Sequence, residues 1–341
     1  MSARSSYTEL QNITRDLKRT TLPTLPPALG FDGDIEYTKQ VEIWKRWIQW
    51  EKDDPLVLKQ DDLPAYKARV VFVYKQALMA LRFWPEMWFE AVDFCYHNDL
   101  DSEGNDFLTQ GISANPESCL LAFKRADRIE LTTSNEDGDE GVKRRGAAVR
   151  EPYDKVLDAL YELIAKTTAR EARDLSRIET LALEAANKHV NGMKGEDDDR
   201  DSEDDDANKV EQRKKVQIDV VKNMNALQIR LIQKTLSHAW IALMRATRRI
   251  QGKGKVGAPI GGSRQILTDA RKRGRITSDV WVAAALLEFH MYESEAAKRI
   301  FERGAKLYPE DEAFALEYIR HLIANNDHTS KSTFYLYMGT V

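Results

Sequence analysis

Residues 44–51 read Trp-Lys-Arg-Trp-Ile-Gln-Trp-Glu, placing three of the chain's seven tryptophans within seven positions and a carboxylate directly after them. At 100° per residue, Trp44, Trp47 and Glu51 share one side of a helix, so a charged group sits in an aromatic stripe. Stacking of a ligand, a catalytic acid and a packing motif would each use such a face. Residues 281–288, Trp-Val-Ala-Ala-Ala-Leu-Leu-Glu, weigh the choice toward packing, because Trp281, Ala284 and Glu288 repeat the spacing. Trp88 with Ala91 and Cys95, and Trp240 with Leu243 and Thr247, repeat it again without the acid. A face that recurs along a chain marks a repeated structural unit.

Each tryptophan helix is followed by a second signature. Tyr74–Ala77 (YKQA), Phe123–Ala126 (FKRA), Leu267–Ala270 (LTDA) and Phe301–Gly304 (FERG) all place a large apolar residue, two polar residues and a small one in sequence. Small residues at Ala77, Ala126, Ala270 and Gly304 let a paired helix approach closely. The junctions WPEMW (84–88) and YPEDEAF (308–314) put an aromatic and a proline between one pair and the next. There the proline ends one helix and suits the first turn of another. Trp44/Tyr74, Trp88/Phe123, Trp240/Leu267 and Trp281/Phe301 therefore mark four helix pairs. A fifth opens at Phe314, 33 residues after Trp281. One helix pair cannot bury its own apolar face, whereas stacked pairs can. The expected fold is all-α, a superhelical solenoid of helix pairs.

The 341 residues suffice for two domains or one repeat array. A net charge of −4 excludes a uniformly basic nucleic-acid binder and leaves room for local patches. The two cysteines, Cys95 and Cys119, form no CxxC, which argues against a disulfide framework or zinc site and for a reducing compartment. The N-terminal stretch lacks an apolar signal core, and no apolar run spans a bilayer, so the expectation is a soluble intracellular chain.

Along the chain, residues 1–34 read as a polar segment in which Pro23, Pro26 and Pro27 disfavour helix. Residues 35–190 read as helix pairs and a long helix, with loops expected at 102–115 and 132–146. Residues 191–208 read as an acidic disordered linker, since 196–206 hold nine acidic side chains and one basic one. Helix pairs return over 209–325, and 326–341 match no repeat.

The quoted residues resemble HAT (half-a-TPR) repeats, whose first helix carries tryptophan, an aromatic and glutamate at this spacing. Two blocks, 42–94 and 238–322, are similar to the Suppressor-of-forked family, and the resemblance covers roughly 35–325. That family supplies the large HAT subunit of cleavage factor IA and of the metazoan cleavage stimulation factor. The resemblance implies a nuclear, non-catalytic scaffold for pre-mRNA 3′-end cleavage and polyadenylation, with a cytoplasmic pool left open. It implies other cleavage and polyadenylation subunits as partners, contact with pre-mRNA that can be indirect, a homodimer formed through later repeats, and no cofactor or membrane. Family members carry further repeats before Trp44 and after Phe314, so the chain is read as a truncated form. A HAT scaffold of the spliceosome or of pre-ribosomal RNA processing is the rival within the same class.

The tryptophans could stack RNA bases, but a position-specific recurrence is what core packing predicts; Trp50 and Trp84 fall outside the pattern and are the better surface candidates. Glu51 and Glu288 could be acid catalysts; a buried structural carboxylate, bonded to the Tyr74 hydroxyl or a nearby arginine, is favoured because an unpaired buried charge is costly. Residues 245–275 hold ten Lys/Arg and one acid, and Arg248, Arg249, Arg271, Lys272, Arg273 and Arg275 could form an RNA or import patch. GKGKVGAPIGGS is no phosphate loop, the acidic run lacks EF-hand spacing, and no histidine pair has metal-ligand spacing.

Overall fold

A computed structural model describes residues 3–19, 24–27, 33–133, 138–192, 200–292 and 294–325, with side chains described outside 185–210 and 294. Among the described residues there are thirteen α-helices and no strand, as the repeat pattern predicts. The chain divides into two compact units, residues 1–132 and 133–341.

The first unit holds α1 (Ala3–Ile13), α2 (Asp34–Lys52), the short α3 (Leu58–Asp61), α4 (Leu63–Ala80), α5 (Pro85–His97), α6 (Asp101–Ala114) and α7 (Cys119–Thr132). Local chemistry sets the starts. Asp34 and Glu36 oppose the positive end of α2. The Asp62 carboxylate caps α4 by accepting from the Ala65 N–H at 3.0 Å. Pro85 occupies the first turn of α5. Trp44, Trp47, Tyr74, Ala77 and Trp88 share one apolar core, and the Trp44 and Trp47 indoles stack with centroids 5.4 Å apart. Leu10 and Ile13 of α1 pack on that core, so a helix precedes the prolines in a segment expected to be poor in helix.

The expected loop at 102–115 is wrong: α6 fills it. Its glycines mislead because they look like breakers but are contact residues. A Cβ on Gly104 would meet the Tyr96 ring at 2.6 Å, and one on Gly111 would meet Trp88 side-chain carbons at 3.0 Å. Two glycines seven residues apart thus clear one face of α6 for α5, and Phe107 and Leu108 fill the core beside them. The immediate neighbour of the Trp88 helix is therefore α6; α7, which carries Phe123, packs on α5 beyond it.

The second unit is built on α8 (Asp139–Gly192) and α9 (Arg200–Gln251), 54 and 52 residues long, which pack against each other. Val149, Tyr153, Val156, Leu160 and Ile164 line the buried face of α8 at helical spacing, facing a core that includes Leu236, Trp240 and Leu243 of α9. This stripe explains why α8 runs through Pro152 and already begins at Asp139, inside the loop expected at 132–146. Of the disordered linker expected over 191–208, residues 191–192 and 200–208 are instead the ends of α8 and α9, while 193–199 lie outside the described residues, as does the tail at 326–341. α10 (Gly262–Arg273), α11 (Ser278–Met291), α12 (Ser294–Leu307) and α13 (Glu312–Ala324) follow. Trp281, Phe301 and Phe314 meet in one apolar cluster with Tyr318 and Leu322.

A Cβ on Gly304 would lie 2.4 Å from Phe314 Cζ, and that ring is hemmed in by Phe301 and Tyr308. Gly304→Ala should therefore destabilise the second unit by about 1–2 kcal/mol despite alanine's better helix propensity, read as a lower denaturation midpoint. Asp311 caps α13, accepting from the Phe314 N–H at 3.0 Å and from the Ser278 hydroxyl at 2.5 Å. Burial pushes its carboxyl up, but the Ser278 hydroxyl and the backbone N–H groups of Phe314 and Ala313 outweigh this and hold it below its ordinary value. A depressed folded value means stability that is present above the unfolded pKa of about 3.9 and lost as pH falls through the folded one. Asp311→Ala should cost about 1 kcal/mol near neutral pH, and its gap from wild type should close in acid.

Candidate functional site

The two glutamates of the repeat face are each clamped by an arginine. In the first unit Glu51 is 6% exposed; Arg69 of α4 donates from Nε to Oε2 at 2.9 Å and from Nη2 to Oε1 at 3.0 Å. The Trp47 indole N–H points at Oε1 from 3.4 Å. In the second unit Glu288 is 4% exposed, and Arg264 donates from Nε at 2.7 Å and from Nη2 at 2.8 Å, one bond to each oxygen. Bidentate guanidinium pairing supplies the compensation that a buried carboxylate needs. Of the two partners expected for Glu51, the arginine is the one found. The Tyr74 hydroxyl is buried and makes no hydrogen bond among the described residues, and burial holds its phenol far above its ordinary pKa. The arginine's source differs between the units: Arg69 lies on α4, which follows Glu51 beyond the short α3, and Arg264 on α10, the helix before Glu288. A Gly-rich loop brings Arg264 into place, its backbone N–H reaching the Lys253 carbonyl at 3.2 Å.

The remaining repeat positions are placed as follows. Trp240, Ala270 and Phe301 are wholly buried, Ala126 is 1% exposed, and Trp281 and Phe314 are buried as well. Phe123 and Leu267 are only half-buried; Leu121 and Ile266 are the large apolar side chains buried on those helices. The Trp240 indole N–H lies 3.3 Å from the Tyr161 hydroxyl, which itself donates to the Gly274 carbonyl at 2.8 Å, fixing the end of α10 against α8. Trp50 is not a surface indole: at 8% exposure it belongs to the first core. Trp84 is half-buried, its ring 5.7 Å from that of Tyr37.

The basic stretch does not form one patch. Arg271 and Arg273 are two residues apart on α10 and so diverge by about 200°. Arg273 turns to α8, where it pairs with Asp158 at 2.7 Å and covers the Tyr161 ring at 4.1 Å. Arg271 turns to α11 and lies 5.1 Å over the Trp281 ring. Arg248 meets the Met291 sulfur at 3.3 Å, while Arg249, Lys272 and Arg275 are exposed. Arg271 instead joins Arg264, Arg299 and Arg303 around one groove. Arg299 and Arg303 lie outside the stretch that the sequence singles out; their i, i+4 spacing on α12 was the available signal.

α9 also carries a surface that charge and motif reading passed over. Val216, Val220, Met224, Leu227 and Leu231 fall within an arc of about 80° and are each more than half exposed. Among the described residues no cluster of His, Cys, Asp and Glu could hold a metal ion, and no helix is long and apolar enough to cross a membrane. Cys95 takes the acid's place in the Trp88 unit and is fully buried. Burial pushes its thiol, and that of Cys119, up to about 11. Both are therefore protonated at neutral pH, and alkylation of Cys95 should follow unfolding rather than compete with it, measured as labelling against denaturant.

The model of the family described as Suppressor of forked protein (Suf) matches residues 1–337. A protein from Aspergillus fumigatus called "mRNA 3'-end-processing protein rna14" is 63% identical over 96% of this chain and 31% of its own length. The protein of that name from Neurospora crassa is 48% identical over 97% of this chain and 28% of its own. One from Yarrowia lipolytica is 28% identical over 96% of this chain and 32% of its own. The chain thus spans about a third of the length of these curated relatives. With a family model matched from end to end and the repeat face built as described, the chain belongs to the Suppressor of forked family.

Proposed function

We propose that the chain is part of a non-catalytic scaffold of nuclear pre-mRNA 3′-end cleavage and polyadenylation, presenting surfaces that organise other processing subunits on RNA. The observation that carries this is the 63% identity, over nearly the whole chain, to a protein named for mRNA 3′-end processing. The architecture supports it. The buried carboxylates that could have been catalytic acids are spent on Arg69 and Arg264. What the chain offers to solvent is partner surface: the apolar stripe on α9 and the arginine-lined groove between α10 and α12. Exposed contiguous apolar surface of this kind marks interaction sites.

Affinity purification of the protein from nuclear extract, read by mass spectrometry, tests the proposal. Cleavage and polyadenylation subunits are the expected harvest; splicing or pre-ribosomal factors in their place would overturn it. Direct RNA binding is the rival that the exposed Arg249, Lys272 and Arg275 keep in play. It requires affinity that falls steeply with added salt and vanishes when Lys272 and Arg275 are neutralised. Sedimentation of the chain tests the homodimer that the resemblance implies, with a dimer at micromolar concentration expected and a monomer counting against it.

A further inference from the structure

α10, α11 and α12 enclose an open groove of about 280 Å³. Leu267, Leu287 and Ile300 give it an apolar lining. Arg271 from α10 and Arg299 and Arg303 from α12 supply its charge, and all three are exposed. Among the described residues no carboxylate pairs with any of the three. The one acid in the lining, Glu288, is already held by Arg264. The groove therefore combines uncompensated positive charge with an apolar floor, on a chain whose net charge is −4.

Positive charge alone would suit RNA phosphates or an acidic peptide. The lining decides between them. Single-stranded RNA binding draws on aromatic faces that stack bases, and the one aromatic here, Trp281, is 3% exposed and capped by the Arg271 guanidinium. An aliphatic floor instead accepts apolar side chains spaced along an amphipathic peptide. Guanidinium groups at its rim match carboxylates in planar, bidentate geometry. Arg299 and Arg303, one turn apart, present two such forks side by side.

We propose that this groove docks an acidic, apolar-anchored peptide segment of a partner protein, with its apolar side chains on Leu267, Leu287 and Ile300 and its carboxylates on Arg271, Arg299 and Arg303. The assignment rests on the scaffold reading for its biological setting, but its chemistry is testable separately.

Fluorescence anisotropy on the whole chain is the test, with three labelled probes. The first is a short synthetic peptide of Leu interspersed with Asp and Glu, the second its counterpart with Lys for every acid, and the third a single-stranded RNA. The acidic peptide should bind and the lysine peptide should not. Exchanging the peptide's Leu for Ser, or introducing Arg299→Glu with Arg303→Glu in the protein, should each weaken binding by at least about tenfold. Both arginines are exposed, so the double variant should keep the wild-type thermal midpoint, which confirms that the loss is local. No binding of the acidic peptide overturns the proposal, as does binding that is indifferent to the double variant. RNA binding that the double variant abolishes and the acidic peptide fails to displace overturns it too. Wild-type protein that recovers cleavage subunits while its groove ignores the peptide would sink this inference alone. Recovery of splicing factors with the peptide still bound would sink the scaffold reading alone.

Discussion

Phe301→Ala should lower the unfolding free energy of the second unit by about 3–5 kcal/mol, the largest effect expected of any single truncation on the repeat face. Phe301 has no exposed surface. Its ring stacks on Tyr318 with centroids 5.1 Å apart and an interplanar angle of 8°, lies 5.9 Å from Phe314 and 4.8 Å from His321. Truncation removes a residue that joins α12 to α13 and leaves a hole walled by rings that cannot collapse without turning off their rotamers. Phe301→Leu, which keeps most of the volume, should cost about 1–2 kcal/mol. The contrast with Phe123, at the same motif position but half-buried, is part of the prediction: Phe123→Ala should cost clearly less. Urea unfolding followed by far-ultraviolet circular dichroism measures both. A loss below about 1 kcal/mol at Phe301 would mean that the α12–α13 face is loosely packed.

How far the fold could be read before the structure depended on whether a residue's neighbours lay on its own helix. Trp44, Trp47 and Glu51 announce a face because helical periodicity is local, and α5 begins at the proline of the WPEMW junction, in its first turn. α6 was missed because Gly104 and Gly111 carry opposite meanings in one dimension and in three. Along the chain they signal flexibility; against Tyr96 and Trp88 they signal contact. The start of α8 was missed for a related reason, since the run from Asp139 to Gly146 looks like a turn until the core stripe beginning at Val149 is seen to need a helix beneath it. The candidate site was legible by halves. The glutamates could be picked out, and so could their need for a cation. Their arginines could not, because Arg69 comes from a later helix, α4, and Arg264 from the preceding one, α10, which leaves no common spacing to detect. The basic stretch misled in the same way: Arg271 and Arg273 are neighbours in sequence and serve opposite faces.

Breaking the Glu288 clasp from the arginine side should cost about 2–4 kcal/mol, more than breaking it from the acid side. Arg264→Met keeps the aliphatic volume but leaves the carboxylate 4% exposed and without its cation. Orphaning one member of a buried pair typically costs about 3–5 kcal/mol. Here the figure is set lower because the Arg264 side chain is 30% exposed, so water already reaches one partner. Glu288→Met removes the buried charge and lets Arg264 turn outward, which makes it the milder single change. The double variant should then regain most of the loss, since an apolar pair of similar volume has no desolvation to offset. The same cycle at Glu51 and Arg69 should show smaller coupling, because Arg69 is 39% exposed and the Trp47 indole still faces the carboxylate. Strict additivity of the two changes at Glu288 and Arg264, measured by denaturant unfolding, would show that the clasp holds nothing and that the glutamate is kept at this repeat position for some other reason.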